Sequence, residues 1–411
     1  MKQDKNFFLG KKILIYGLGK SGIATYKFLK KKADIYLFDD NQKINQKLIN
    51  LNQLLKIKFD RIIISPGIDI FNCRLSKFLK NNDSKIYTDL DVFYSFYKNK
   101  SIAITGTNGK STTAKILHNA LVDQKRDSRL IGNIGNPALS EKKISNKTFF
   151  VIEVSSYQLD YSKIFTSKYA VILNIRTDHI ERHKNLTNYV NAKFKLLESQ
   201  TKQSIAYVNK EDKLINKKIK KNKFKQKIYK VDTLNIKKIS NQINNEYFES
   251  NGNKENLSFV LKIASELKIN NKRLIKTLNN FKGLKYRQQI IHNSNKIKII
   301  NDSKSTSFAS SVDLLQSSEN VFWIVGGMGK YGDKFFLKKN ECKNIKAYIF
   351  GKKKNFFIKQ FKKKLSYQCF KSLEKATKQV FKEIDNNKNN LRKTVLFSPS
   401  AASFDSFKNF E

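Results

Sequence analysis

Cysteine, proline, methionine and tryptophan are all scarce in this sequence, with three, three, two and one copies respectively. Cys73, Cys342 and Cys369 lie far apart and form no CxxC pair, so neither a disulfide framework nor a zinc site is indicated. No apolar run approaches the ~18 residues that a membrane-spanning helix needs, so no membrane association is expected. The first residues, Met1 to Asn6, are polar and no signal-like apolar stretch follows, which makes the cytoplasm the expected location. Acidic residues are also few: 34 Asp and Glu stand against 81 Lys and Arg, a formal net charge of +47. That charge invites a nucleic-acid reading. Against it, the lysines are spread over the whole chain, and no stripe of Arg interleaved with aromatics stands out. The pattern favours a solvated basic surface with no specific nucleic-acid partner, one that would still suit anionic nucleotide substrates.

The remainder of the composition is that of a globular protein, with 40% hydrophobic and 28% charged residues over 411 positions. This length implies two or three cores, and the pattern favours three. Short apolar stretches alternate with helix-like ones: residues 12–16, 34–38 and 61–65 first, then 101–105, 149–154 and 170–174, and finally 321–325, 347–350 and 394–397. Alternation of this kind predicts parallel sheets with crossover helices. Domain limits of 1–97, 98–284 and 285–411 follow. Helices are expected near 111–123, 255–267 and 271–280. The Lys/Asn-rich stretch from about Ser204 to Glu249, with short strand-like pieces, reads as irregular and partly exposed.

The strongest local signal is Thr105-Gly106-Thr107-Asn108-Gly109-Lys110-Ser111-Thr112 at a strand-to-helix junction. Backbone N–H groups there can ring a phosphate, the helix dipole favours the anion, Lys110 can reach the outer phosphates and Ser111 can hold Mg²⁺. Ile104 stands where the general pattern has its first Gly, so the loop is a compressed variant; a helix-capping turn alone does not explain Gly-Lys-Ser-Thr here. The weaker Gly17-Leu18-Gly19-Lys20-Ser21-Gly22 has dinucleotide spacing, with Asp39 and Asp40 about twenty residues on. Alone it reads as a dehydrogenase, yet the same turn can take the diphosphate of another nucleotide.

Taken in order, Thr105–Thr112, Gly132-Asn133-Ile134-Gly135, Glu153-Val154-Ser155-Ser156-Tyr157-Gln158-Leu159 and Asn174-Ile175-Arg176-Thr177-Asp178-His179 resemble the Mur ligase family. Gly17–Gly22, Ser65-Pro66-Gly67, Asn301–Thr306 and the ending Ser398–Glu411 resemble its D-glutamate-adding branch. The resemblance implies an α/β protein of three domains: a Rossmann-like N-terminal domain for a UDP-sugar, a central P-loop ATPase-like domain with a mainly parallel sheet, and a Rossmann-like C-terminal domain for the amino acid. It also implies an ATP-dependent, monomeric enzyme that joins D-glutamate to UDP-N-acetylmuramoyl-L-alanine through an acyl phosphate, with closure of the domains and two Mg²⁺ ions.

By the same resemblance Ser111 and Glu153 hold one ion, and His179 with a CO₂-carbamylated Lys193 holds the second; residue type alone would make Lys193 a surface lysine. Gly106 to Thr112 cradle the ATP phosphates, Asn256 meets adenine, Arg287 the γ-phosphate, Asp302 the ribose and Lys304 the phosphates. Lys110, His179, Lys193 and Arg287 form the implied catalytic set. Lys20, Ser21, Asp39, Gly67 and Asn133 fall to the UDP-sugar, and Thr306, Lys330, Ser403 and Phe410 to the D-glutamate carboxylates. Two departures stand out: Asn253 and Asn256 fall in Gly252-Asn253-Lys254-Glu255-Asn256, where the family usually has His-Asn-x-x-Asn, so the His is missing, and the chain stops at Glu411 where relatives continue for a short helix. Ligases of the same family that add L-alanine, a diamino acid or glutamate to folate are the nearest alternatives, and a basic P-loop protein that binds nucleic acid is the alternative from another class.

Overall fold

The computed structural model describes residues 6–41, 44–234, 240–330, 332–387 and 389–402. The chain divides into two compact units, one of Met1–Lys238 with Asn256–Thr277 and the other of Ile239–Glu255 with Leu278–Glu411.

The first unit holds two sheets. In one, β1 (Lys12–Tyr16), β2 (Asp34–Phe38), β3 (Arg61–Ile64) and β4 (Ile86–Tyr87) run parallel in the order β2-β1-β3-β4. In the other, β5 (Ser101–Thr105), β6 (Ser128–Gly132), β7 (Phe149–Glu153), β8 (Tyr169–Ile172), β9 (Ile205–Asn209) and β10 (Lys227–Val231) are parallel in the order β10-β9-β8-β5-β7-β6. Their near-continuous apolar sequences fit strands covered on both faces. In each sheet the strand before a Gly-rich turn, β1 or β5, leads on towards one edge of the sheet while a strand beside it, β3 or β8, leads on towards the other. Ligands collect at such a reversal, beyond the carboxyl ends of the strands.

The Lys/Asn-rich stretch is more regular than its composition implies, since β9, a helix at Lys213–Lys221 and β10 occupy it as far as Val231. Asp212 starts that helix by accepting from the backbone of Leu214 and Ile215, and Leu214, Ile215 and Ile219 turn one narrow apolar face to the core. Three apolar residues among so many lysines suffice because the neighbouring strands supply the remaining surface.

A buried carboxylate fastens the two sheets of this unit. Asp91, on the helix Asp89–Phe96, is fully buried. Its Oδ1 accepts from Ser162 Oγ at 2.8 Å and from the backbone N–H groups of Lys163, Ile164 and Phe165 at 3.0, 2.8 and 2.9 Å. Asp91→Ala leaves these donors without an acceptor and is expected to cost about 3–5 kcal/mol. Denaturation followed by circular dichroism should show the loss, and hydrogen exchange should quicken first at the amides of 163–165.

The second unit carries β11 (Gln289–Asn293), β12 (Ile297–Asn301), β13 (Val321–Gly326), β14 (Ile345–Phe350), β15 (Ser366–Cys369) and β16 (Lys393–Phe397), in the order β11-β12-β16-β13-β14-β15. Only β11, at the edge, is antiparallel among these strands. Phe308, Trp323, Phe335, Phe357 and Phe361 pack on one face as an aromatic core. Trp323 Nε1 donates to the Ser398 carbonyl at 2.8 Å, which fixes the chain as it leaves β16.

Candidate active site

Beyond β5 the chain turns through Gly106–Gly109 into the helix Lys110–Asp123. Asn174, just past β8, shapes that turn: its Oδ1 accepts from the backbone of Thr107 at 3.1 Å and of Asn108 at 2.9 Å. Thr107 Oγ1 accepts from the Arg176 backbone at 2.9 Å and lies 3.1 Å from the Tyr189 hydroxyl. Gly109 begins the helix at φ 82°, and a Cβ there would lie 1.9 Å from Asn256 Oδ1, so only glycine fits. Lys110 Nζ arches back over the turn to the carbonyls of Gly106 and Thr107, at 2.9 and 2.8 Å. Ser111 and Thr112 follow in the first helical turn, both nearly buried. A helix N-terminus without a side-chain cap, preceded by a tight glycine turn and a lysine, is chemically an anion cradle.

Glu153 ends β7, in register with Ile104 of β5, and is 1% exposed. Its Oε1 accepts from Asn133 Nδ2 at 2.8 Å. Its Oε2 is buried without a hydrogen-bond partner among the described residues. An unsatisfied buried carboxylate oxygen is costly, and a hard divalent cation is a partner that would offset the cost. Among the described residues no group of three or more His, Cys, Asp or Glu is arranged to hold a metal. The carboxylate of Glu153 and the hydroxyl of Ser111 are oxygen donors of the kind that would suit a hard divalent cation such as Mg²⁺.

Lys193, on the helix Leu186–Glu198, is as buried as Glu153 and donates to the Gly106 carbonyl at 2.8 Å. Burial, reinforced by the charge of Lys110, holds its ammonium well below the usual lysine range. His179 sits at φ 55°, with Nδ1 2.7 Å from the Tyr157 hydroxyl and Nε2 3.4 Å from Asp178 Oδ2. Tyr157 also stacks on His183, and Lys193 Nζ lies 4.4 Å from the centre of the Tyr189 ring. Tyr157, Asn174 and Tyr189 thus order this region; the first two lie within the segments that carry the family resemblance, while Tyr189, on the helix Leu186–Glu198, is marked by no charge or spacing.

At the first sheet, Gly17–Gly22 lies between the ends of β2 and β3. A Cβ on Gly22 would lie 1.9 Å from the Gly17 carbonyl oxygen, which makes this a tight strand-to-helix turn. Asp39 accepts from the backbone of Leu18 at 2.5 Å and of Asn41 at 2.8 Å. Ser65 Oγ donates to the Gly17 carbonyl at 2.6 Å, and Gly67 faces open space. Lys20 and Ser21 begin the helix Lys20–Leu29. Ser21 bonds Asp89, whose wholly buried carboxyl also accepts from Gln158 Nε2 at 3.3 Å and is raised in pKa by that burial. Asp89 thereby connects this turn to the Ser155–Leu159 segment after Glu153, a link invisible in the sequence because its members lie far apart.

In the second unit, Arg287 and Lys304 are exposed and their segments are joined by Lys304 N to the Tyr286 carbonyl at 3.1 Å. Thr306 and Lys330 are half-buried on the turns after β12 and β13. Asn253 Nδ2 donates to the Tyr247 carbonyl and to Gln288 Oε1, both at 2.7 Å. Ser403 and Phe410 lie outside the described residues.

Asp302 is 5% exposed; it accepts from Ser398 Oγ at 2.9 Å and the Gln288 backbone at 3.0 Å. Burial pushes its carboxyl up to about 7 from 3.8. Between those values the native unit keeps a proton that the unfolded chain has lost, so stability falls as pH rises from about 4 to about 7, by roughly 4 kcal/mol in total, and levels off above. Asp302→Asn should flatten that part of the pH–stability curve, as read from melting temperatures of wild type and variant across pH 4–8.

Comparison with known proteins adds five findings. Residues 104–273 match the family model described as the Mur ligase middle domain. A UDP-N-acetylmuramoylalanine--D-glutamate ligase of Rickettsia felis is 32% identical over 97% of this chain and 94% of its own length. The protein of the same name from Francisella tularensis strain SCHU S4 is 31% identical over 97% and 93%. Among solved structures, MurF from Acinetobacter baumannii superposes with a TM-score of 0.58 at 17% identity over 76% of each chain, and MurC from Thermotoga maritima with 0.54 at 18% identity over 95% and 96%. At such identities the structural likeness is one of fold.

Proposed function

Because the chain belongs to the Mur ligase family, we propose that it is an ATP-dependent ligase that adds D-glutamate to UDP-N-acetylmuramoyl-L-alanine in peptidoglycan precursor synthesis. The observation that carries this reading is a glycine-turned anion cradle together with a buried carboxylate oxygen that has no hydrogen-bond partner among the described residues, within a chain similar over 97% of its length to ligases of that name. ATP and Mg²⁺ are the implied cosubstrate and metal. The terminal carboxylate of the UDP-sugar attacks the γ-phosphorus and ADP leaves; the amine of D-glutamate then attacks the acyl carbon, phosphate leaves and a proton is lost. A free carboxylate is too poor an electrophile for the second step, which is why phosphorylation comes first.

In this reading Gly106–Thr112 bind and orient the phosphates, with Lys110 exchanging its two carbonyl partners for phosphate oxygens. Mg²⁺, held by Ser111 and Glu153, supplies charge neutralisation at the phosphates when bound. Lys193, carbamylated, and His179 are assigned to a second Mg²⁺. Arg287 and Lys304 are assigned to the phosphates, Asn256 to adenine and Asp302 to the ribose side. The UDP-sugar falls to Lys20, Ser21, Asp39, Gly67 and Asn133, and D-glutamate to Thr306, Lys330, Ser403 and Phe410. The three-part division at 97/98 and 284/285, a monomeric state and a cytoplasmic location complete the proposal. No helix among the described residues is long and apolar enough to cross a membrane.

Phosphate release from Mg-ATP with UDP-N-acetylmuramoyl-L-alanine tests it, with D-glutamate compared against L-glutamate, L-alanine and a diamino acid. Release that depends on D-glutamate is expected. Release driven by another amino acid would move the substrate assignment, and none with any of them would overturn the reading.

A further inference from the structure

The turns that follow β12, β16 and β13 are bound together at one edge of the second unit. Gly326 N donates to the Pro399 carbonyl at 3.2 Å, and Met328 and Ala402 exchange backbone bonds at 2.7 and 3.2 Å. Beneath these turns runs a chain of buried hydroxyls. Ser398 Oγ donates to Asp302 Oδ2. Ser311 Oγ, from the helix Phe308–Ser317, lies 2.6 Å from both Ser398 Oγ and Ser400 Oγ, and 2.8 Å from Ser305 Oγ. Ser311, Ser398 and Ser400 are wholly buried and Ser305 is nearly so.

A hydroxyl has one proton to give and two lone pairs to receive. When Asp302 is ionised Ser398 gives its proton to the carboxylate, so the Ser311–Ser398 bond then runs from Ser311. Having spent its proton there, Ser311 accepts from Ser305 and Ser400. All these hydroxyls therefore point along one path towards Asp302, and each bond polarises the next. Ser400 meanwhile adopts φ 56°, in the left-handed region that L residues rarely occupy, and its bond to Ser311 helps to hold it there.

We infer that Ser311 is a positioning residue for the amino-acid end of the proposed ligase reaction. It fixes the turn bearing Lys304 and Thr306 against the segment 398–402 that leads into Ser403, without touching substrate itself. The inference rests on the ligase reading for its kinetic part only. Ser311→Ala removes the branch point, and Ser398→Ala removes the link to Asp302 independently. Both variants are expected to raise the KM for D-glutamate about tenfold, with the KM for the UDP-sugar unchanged. Hydrogen exchange in the protein without substrates should quicken at 302–306 and 398–402, while the strands β13 and β14 keep their protection. Unchanged exchange in both segments, or equal loosening of the whole second unit, would overturn the inference. So would equal changes in both KM values. Absence of D-glutamate-dependent turnover in the wild type would instead count against the ligase reading, and the exchange measurement would still decide the role of Ser311.

Discussion

Glu153→Gln is expected to lower turnover by about 10²–10³-fold while leaving the melting temperature unchanged or higher. The two effects separate because the two carboxylate oxygens have different surroundings. Oε1 accepts from Asn133, a bond that the glutamine carbonyl can keep. Oε2 is buried and has no hydrogen-bond partner among the described residues, so its negative charge is poorly solvated when no cation is bound. Neutralising it relieves that cost but removes the charge that would hold Mg²⁺ with Ser111. Initial rates over a Mg²⁺ titration, set beside thermal melts without Mg²⁺, would test this. A variant that melts well below the wild type and loses activity only in proportion would show that Glu153 serves the fold alone.

Lys193→Met should cost a similar factor, again without loss of stability, and for a related reason. An ammonium at 1% exposure beside Lys110 is poorly solvated, and burial drives the group towards the neutral amine. A neutral amine is nucleophilic. Its nitrogen can attack the carbon of CO₂, forming an N–C bond and releasing a proton, and the side chain becomes an anion of the kind a second cation requires. The sign follows directly: because the amine pKa is lowered, the reactive form gains population at lower pH than for an exposed lysine, and carbamate occupancy rises with pH. Wild-type activity should fall after removal of dissolved CO₂ and return with bicarbonate. Lys193→Met should be insensitive to both treatments. A ¹³C signal from labelled bicarbonate that appears in the wild type and not in the variant would identify the site. Wild-type activity indifferent to CO₂ would sink the carbamate assignment.

Much of the architecture is legible in the sequence because parallel strands covered on both faces announce themselves as apolar runs. The strand ending at Thr105 and the helix from Lys110 lie where the Gly-Lys-Ser-Thr spacing puts them. The helix Lys213–Lys221 is harder to see, since its narrow apolar face is outnumbered by lysines whose solvation the sequence pattern cannot weigh. What stays hidden in the site has a common cause. Asp89, Asp91 and Ser311 act by closing distances of tens of residues along the chain, and nothing in their immediate neighbourhood marks them. A serine near a Gly- or Ser-rich turn reads as loop material. Only the packing of β12 beside β16 reveals that Ser311, Ser398 and Ser400 share one hydrogen-bonded path.

The bracing of Thr107 and Asn108 by Asn174 bears on how fast the protein can work as well as on what it binds. A phosphate loop that had to fold around its ligand would lose chain entropy at that moment, and arrival would wait on rearrangement. Here the turn already has its shape, with two amides tethered to a side chain beyond the neighbouring strand. The entropy has been surrendered once, during folding, and capture of a nucleotide at this loop is left to depend on encounter rather than on the loop finding its form.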